Sequence, residues 1–459
     1  MKGSVVFDIG KTNKKCFVFD EDYQIVHQEI LDIAEIRDED GDPADNLAAL
    51  VDWIRDTLDQ LSDKLKFGIG AVNFSTYGAS FVHLDQQGKP VAPLYNYLKP
   101  YPQAVRQSFY EQYGPAQKLA KETASPALDM LNSGLQLYWL KQTKPEIFAQ
   151  IRWSLHLPQY LSYCLTGIPV SEFTSVGCHT ALWNYAAHNY HDWVYEEGLE
   201  WQLPPLVPTS LSVRLAGKPF VIGPGIHDSS AALIPYLRAE KKPFVLLSTG
   251  TWNICMNPFA EQALTQRDLN QDCLHFMQPS GQPVRASRLF LGHEFARQVQ
   301  LLEQHFDTDG KQFRKQRFAP DIYHRLLQEN KVYFNLENLP WRRKQPTENQ
   351  IHAFSDYPTA YHQLMLELTE VQERSLRLAI GRSEISTVYL DGGFAENDVF
   401  VTMLALRLPE YKVRTTRAPV GSALGAAMVL SDQPLTKKFL KKRYSMQKYR
   451  LRDISIQNE

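Results

Sequence analysis

The residues best equipped for chemistry sit in three short, glycine-containing stretches. The first, Asp8-Ile-Gly-Lys-Thr-Asn-Lys-Lys15, puts a carboxylate at the end of an apolar run and follows it with a glycine, a hydroxyl and lysines. Such a turn offers backbone N–H groups and ammonium groups to phosphate oxygens, while the carboxylate holds Mg2+ directly or through water. An ordinary surface hairpin has the same composition. It is not a Walker loop, because the G-x-x-x-x-G-K-[ST] spacing is absent. The second stretch, Gly223-Pro-Gly-Ile-His-Asp-Ser-Ser-Ala-Ala232, delivers Asp228 to the start of a helix. A carboxylate there takes a proton from a hydroxyl whose oxygen attacks a phosphoryl group. His227 beside it is placed to bond a sugar hydroxyl. A plain helix cap is the alternative role for Asp228, and Asp often fills it. The third, Asp391-Gly-Gly-Phe-Ala-Glu-Asn397, has the form of a strand–turn–helix at which backbone approaches a flat ligand closely. Asn397 would fix a polar edge or the following helix.

Other features are read as structural. Gly421-Ser-Ala-Leu-Gly-Ala-Ala427 is a close-packing helix of small residues. His188 and His191 have no carboxylate at metal-site spacing and are expected to be surface or core histidines. The basic tail from Lys437 to Arg452 reads as a solvated terminal helix, and the acidic run Asp32–Asp45 as a solvated loop.

The elements that must position these residues follow from hydrophobic spacing. Ser4–Phe7 and Cys16–Phe19 predict a β-hairpin around the first stretch. Leu47, Leu50, Val51, Ile54, Leu58 and Leu61 predict a helix over 45–65. Strands are expected at Ile69–Phe74 and Ser80–Leu84, and a helical region over 127–165 closed by Gly167. The Pro-rich segment 201–222 marks the main domain boundary, so the chain divides into residues 1–220 and 221–459. Beyond it, Phe244–Leu247 and Trp252–Met256 form a second hairpin around Ser248-Thr-Gly-Thr251. Residues 360–380 are helical, and Thr387–Leu390 is a strand. Each half thus opens with strand, small polar turn and strand, the layout of a duplicated fold with two phosphate-gripping hairpins facing one cleft.

Composition removes other classes. The 459 residues carry a formal charge of −2, which excludes nucleic-acid binding through bulk charge. Hydrophobic residues at 44% and charged residues at 22% fit a globular chain with a large core. Five cysteines without a C-x-x-C pair fit neither a disulfide framework nor a thiolate zinc site. No 18-residue apolar stretch and no signal-peptide core occur, so the expectation is a cytoplasmic protein without a membrane segment.

With these residues in order, the chain resembles the FGGY carbohydrate kinases of the actin and hexokinase superfamily, over essentially its whole length. Asp8-Ile-Gly-Lys-Thr-Asn13 is similar to that family's first phosphate motif and Ser248-Thr-Gly-Thr-Trp252 to the second. Gly225-Ile-His-Asp-Ser-Ser-Ala-Ala232 resembles the signature around the catalytic base. Gly392–Asn397 with Gly421–Ala427 resembles the adenosine-binding end. The resemblance implies two α/β, ribonuclease H-like domains whose mixed sheets are flanked by helices, with a cleft between them. It implies ATP and Mg2+ as cosubstrate and cofactor, and a small sugar as acceptor. Asp228 would be the base and Asp8 the Mg2+ residue. Lys11, Thr12, Asn13, Lys14, Lys15, Thr249, Gly250 and Thr251 would cradle phosphates. Gly392, Gly393 and Asn397 would meet the adenosine.

His227-Asp228 and the Ser-Thr-Gly-Thr-Trp turn look most like the rhamnulokinase and fuculokinase branch, which phosphorylates deoxy-ketoses. Ser75-Thr-Tyr-Gly-Ala-Ser-Phe-Val82 resembles that branch's sugar loop, which implies Tyr77, Gly78, His227 and Asp228 as sugar contacts. Tyr160–Trp183 is similar to the wall of the sugar pocket. The chain departs from its relatives at three places: Tyr95-Asn-Tyr-Leu-Lys-Pro replaces an acidic/Arg pair, Lys15 replaces a common arginine, and Leu289–Gly292 lacks a polar sugar contact. A pentulose or polyol kinase, differing in the pocket of Tyr77, Tyr95, Tyr97, Trp183 and His227, is the neighbouring expectation. A non-catalytic nucleotide-dependent sugar sensor is the third. The chain is expected to act as a monomer or homodimer.

Overall fold

The computed structural model describes residues 2–11, 13–64, 68–339, 344–416, 420–431, 435, 437–444 and 446–448. Two sheets of mixed strands organise it. In the first, Lys2–Ile9 and Lys14–Phe19 pair antiparallel, and Ile25–Leu31 adds to the second of them. On the other side Gly68–Thr76 runs parallel to Lys2–Ile9, Val221–Ile222 runs parallel to it in turn, and Val213–Arg214 closes the edge antiparallel. The second sheet repeats that order. Phe244–Thr249 pairs antiparallel with Asn253–Asn257 and parallel with Thr387–Gly392. Pro283–Leu289 adds antiparallel to Asn253–Asn257, and Lys412–Thr415 adds parallel to Thr387–Gly392. The duplicated layout expected from the two hairpins is therefore realised in strand order and direction.

The opening strand of each sheet is apolar on both faces because both faces are covered. Val5 and Phe7 face one core, which the helix Leu47–Lys64 covers through Leu50, Ile54 and Leu61. Val6, pointing the other way, enters a cluster shared with Ala231, Ala423, Ala427, Phe244, Leu246 and Met256. That shared cluster contains the helices Asp228–Ala239 and Gly421–Met428 together with residues of both sheets. Small residues let the two helices approach closely: a Cβ on Gly425 would stand 1.8 Å from the Ala231 carbonyl oxygen. Val245 and Leu247 face a third core with the long helix Tyr357–Ile380.

Three expectations change. The region 127–165 is not continuously helical: Trp153–His156 is a strand pairing antiparallel with Phe81–Leu84, between the helices Ser133–Thr143 and Leu157–Thr166. The helix-like apolar spacing there serves strand burial on a distant partner. Gly167 does end its helix in the left-handed region, at φ 67°. The Pro-rich segment does not open a separate core, because Val221–Ile222 and Ile226–His227 join the first sheet on Gly68–Thr76. The acidic run is folded rather than a solvated loop. It contributes the strands Ile36–Arg37 and Pro43–Asp45, and Asp38, Asp40 and Asp42 close on the Lys99 ammonium at 2.7, 3.0 and 2.6 Å. Lys99, with Lys144 at 2.8 Å from Asp40, offsets their mutual repulsion. His191 caps the helix Asp192–Glu196 and sits 3.1 Å from Glu122. Of the basic tail, Lys437–Arg443 is helical, and residues 449–459 lie outside the described residues.

Candidate active site

Asp8 occurs one residue before the end of the first strand, and Asp228 is the first residue of its helix, directly after the short strand Ile226–His227. Both strands pair with Gly68–Thr76: Asp8 stands opposite Ser75, and His227 opposite Thr76. Two carboxylates distant in sequence are thereby brought to the same end of one sheet. The approach to Asp228 is rigid. Gly225 takes φ 85° with its Cβ position 2.6 Å from the Pro158 carbonyl oxygen, and its N–H donates to Asn73 Oδ1 at 3.0 Å. Asn73 in turn donates to the Ala426 carbonyl at 2.7 Å.

The Asp228 carboxylate does not cap its helix in the usual way. It accepts from the neighbouring Ser229 N–H at 2.5 Å and Ser229 hydroxyl at 3.1 Å, and 36% of the side chain stays exposed. It lies deep enough that burial pushes its carboxyl up to about 6, against the pull of those two donors. Burial likewise pushes Asp8 up to about 6. Its serine neighbours and Lys15, across the strand ladder, pull it down, and the charge of Asp228 adds to the rise. Ser422 donates to Asp8 Oδ1 at 3.0 Å.

His227 stands between Asp228 and a thiol: its Nε2 is 3.2 Å from Asp228 Oδ1 and 3.1 Å from Cys178 Sγ. Its backbone N–H donates to Thr174 Oγ1 at 3.0 Å, and that hydroxyl donates to the buried Glu172 at 2.8 Å. Burial pushes the imidazole down to about 3, so it is neutral at physiological pH and serves as a hydrogen-bonding group rather than a cation. Gly78 faces this cluster: a Cβ there would come 2.7 Å from Cys178 Sγ and 3.3 Å from His227 Cδ2. Tyr77 and Tyr97 lie beside it with ring centroids 6.0 Å apart. Tyr95 and Trp183, expected in the pocket, are core residues instead. Tyr95 packs edge-on against Trp139 at 5.0 Å, and Trp183 belongs to a cluster with Val176 and Met277.

The lysines of the first hairpin divide. Lys11 Nζ donates to Asp45 at 2.7 Å and to Glu35 at 3.0 Å, and Lys14 Nζ contacts Asp45 at 3.3 Å. Lys15, opposite Asp8, forms no ion pair among the described residues. Asn13 closes the turn by accepting from the Gly10 N–H at 2.9 Å through its backbone carbonyl. Thr12 lies outside the described residues.

On the other sheet Gly250, Thr251 and Trp252 form an exposed turn, and Gly392 and Gly393 are exposed beside it. Thr249 joins the two: its hydroxyl donates to the Asp391 carbonyl and accepts from the Phe394 N–H at 3.0 Å. Gly392 has φ 81°, with its Cβ position 1.9 Å from the Thr249 carbonyl oxygen, whereas a Cβ on Gly393 would meet nothing within 4 Å. An open backbone edge is what a flat ligand requires. Asn397 is committed to structure: it caps the next helix by accepting from the Phe400 N–H at 3.1 Å, and it donates to the Tyr361 hydroxyl at 2.8 Å.

The residues fit a magnesium ion delivered with a nucleotide. Among the described residues no cluster of three or more His, Cys, Asp or Glu forms a protein cage. A half-buried carboxylate pushed up to about 6, with a second carboxylate acting on it, is nevertheless favoured by an added cation, and Mg2+ is commonly held by one or two carboxylates plus phosphate oxygens and water.

Two hairpins, a carboxylate pair and an open glycine edge occur together on a duplicated fold, and comparison with known proteins shows the family of the chain that carries them. Residues 4–218 match the FGGY family of carbohydrate kinases, N-terminal domain, and residues 241–438 match the carbohydrate kinase FGGY, C-terminal domain. The chain belongs to the FGGY family of carbohydrate kinases.

Within this family of sugar phosphotransferases, the FGGY chain is 25% identical over 201 residues to the rhamnulokinase of Halalkalibacterium halodurans, covering 40% of this chain and 41% of that protein. It is 26% identical over 230 residues to the rhamnulokinase of Yersinia pestis, covering 48% and 46%. The matches therefore span less than half the length of these relatives. Among solved structures, a carbohydrate kinase from Novosphingobium aromaticivorans superposes with a TM-score of 0.79 at 25% identity, over 95% of this chain and 93% of that one. A xylulose kinase from Lactobacillus acidophilus gives 0.80 at 15% identity, over 98% and 93%, a likeness of fold.

Asp45 and Arg288 lie near this cluster without any signal in the sequence, and Cys178 falls within the stretch Tyr160–Trp183 expected as pocket wall. Arg288 is held by Asp272 through two hydrogen bonds of 3.1 and 2.8 Å, and its guanidinium lies 5.5 Å from the Trp252 ring centroid. Its charge reaches Cys178 and His179. No motif marks Asp45 or Arg288, because each acquires its neighbours only through the fold.

Proposed function

We propose that this FGGY protein transfers the γ-phosphoryl group of Mg-ATP to a hydroxyl of a small sugar, a deoxy-ketose of the L-rhamnulose or L-fuculose kind. The observation that carries the reading is the half-open Asp228 carboxylate beside neutral His227, whose ring Gly78 faces, at the same sheet end as Asp8. A carboxyl of pKa about 6 is ionised at neutral pH, yet basic enough to accept the hydroxyl proton as the oxygen attacks. His227 orients the acceptor, and Gly78 leaves room for it next to Cys178. Lys15 and the backbone of the Gly250–Thr251 turn face the phosphates, and the Gly392–Gly393 edge takes the adenosine. Mg2+ at Asp8 would neutralise the phosphate oxygens as charge moves to the leaving group. The choice of a deoxy-ketose is supported by the rhamnulokinase relatives and by the His227-Asp228 pair.

We place the reaction in a reducing, cytoplasmic setting, which the five unpaired cysteines support. No helix among the described residues is long and apolar enough to cross a membrane. The test is ADP release from Mg-ATP across L-rhamnulose, L-fuculose, L-ribulose, D-xylulose, glycerol and their ketose or polyol relatives. A response confined to a deoxy-ketose is expected. Turnover on a pentulose or glycerol moves the substrate, and nucleotide binding without turnover on any acceptor overturns the kinase reading.

A further inference from the structure

We infer that Asp45 is a positioning residue that ties the sugar-contacting segment to the first hairpin, so that acceptor binding and hairpin geometry are set by one carboxylate. The inference rests on the sugar-kinase reading above. Asp45 ends the short strand Pro43–Asp45 and is held in register opposite Leu94. Only 7% of it is exposed. Its Oδ2 accepts from both the Lys11 ammonium and the Tyr77 hydroxyl, each at 2.7 Å, and its Oδ1 faces the Lys14 ammonium at 3.3 Å. One buried side chain therefore contacts two hairpin lysines and the tyrosine adjoining Gly78. The backbone repeats the link, since the Tyr77 N–H donates to the Ile9 carbonyl at 3.1 Å, at the hairpin's base.

The charge balance makes Asp45 hard to replace. Burial raises its carboxyl, but Lys11 outweighs burial with help from Tyr77 and Lys14, and the group stays below its ordinary range. Lys11 also bonds Glu35 at 3.0 Å, so two ammonium groups of the first hairpin meet two carboxylates that lie outside its sheet. Removing the Asp45 charge leaves Lys14 without its carboxylate in a buried setting and Lys11 with Glu35 alone. Tyr77 would bond a neutral acceptor in place of a carboxylate, which holds its ring less firmly beside Tyr97. Tyr97 connects this cluster to the acceptor site: its phenol feels the charges of Lys11, Asp228 and Asp45 together.

The experiment measures sugar-dependent ADP release and sugar-free nucleotide affinity for wild type, Asp45→Asn, Tyr77→Phe and the double variant. Asp45→Asn keeps size and an acceptor oxygen but lacks the charge. Its sugar KM is expected to rise about tenfold or more, as for loss of hydrogen bonds to a charged group, and sugar-free nucleotide affinity is expected to shift with it, because the first hairpin loses the same contact. Tyr77→Phe should raise the sugar KM in the same direction. The double variant should fall short of the product of the two single effects, because both act through one contact. A residue that merely stabilised the fold would lower the yield of active protein and leave KM unchanged. If Asp45→Asn does not fold, Lys11→Met removes the other Oδ2 partner and is expected to raise the sugar KM as well. Wild-type turnover with an unaltered sugar KM in these variants, or effects that multiply in the double variant, overturns the inference alone. Absence of sugar-dependent turnover in wild type overturns the kinase reading and takes the inference with it.

Discussion

The Ser422 hydroxyl donates to Asp8 Oδ1 at 3.0 Å, joining the first strand to a helix 414 residues further along the chain. That helix, Gly421–Met428, also packs on Asp228–Ala239 through Gly425 and Ala231, and Asn73 donates to its Ala426 carbonyl. Asp8 and Asp228 are therefore held by the same pair of helices between the sheets. Their spacing is a property of that packing rather than of either loop.

The packing makes Gly425 a structural test. A methyl group there would overlap the Ala231 carbonyl oxygen, which is backbone and has nowhere to move. Gly425→Ala should destabilise the protein by about 3 kcal/mol through overpacking. Denaturant unfolding measures this, and a variant as stable as wild type would show that the helices separate freely.

Asp228→Asn retains the shape of the side chain and removes its basicity. Sugar-dependent turnover should fall about 100-fold or more, in the range lost with a general base, while nucleotide binding persists. Turnover at the wild-type rate would mean that another group accepts the proton.

The pH profile follows from the same carboxyl. Asp228 must be ionised to take a proton, and burial pushes its pKa up to about 6. With kcat/KM measured in the free enzyme, the rate should be low below pH 5, rise through about 6 and level off above 7. Asp8 is pushed into the same window, and because the two charges repel, the limb is broadened rather than sharpened. A limb centred near the ordinary carboxylate value would remove the case for a desolvated base.

Gly78 has a steric requirement. Its Cβ position lies 2.7 Å from Cys178 Sγ, so Gly78→Ala must displace the thiol or the His227 ring behind it. The sugar KM should rise about tenfold, and Cys178→Ala in the same chain should recover part of the loss by freeing the space. Failure of that second change to help would place the damage elsewhere in the loop.

Local signals carried much of this site. Asp8 and Asp228 stand out because a carboxylate beside glycines, at a strand end or helix start, is a pattern within ten residues. The hairpins were legible for the same reason, since alternation and a polar turn are near-neighbour properties. The small residues around Gly425 announced close packing before their partner was known. The strand Trp153–His156 was hidden, because its apolar residues suit a helix until Phe81–Leu84 supplies a ladder from about 70 residues away.

The order of residues by itself determined the two hairpins, the glycine edge, the carboxylate proposed as base and the family they point to. Only the tertiary structure decided how the charges are shared. Within the acidic run taken for a solvated loop, Asp38, Asp40 and Asp42 meet Lys99, while Asp45 meets Lys11, Lys14 and Tyr77. Lys15 is left opposite Asp8. Pairing energy depends on separation in space and on the water removed between the partners, and the order of residues along a chain specifies neither until the sheets have formed.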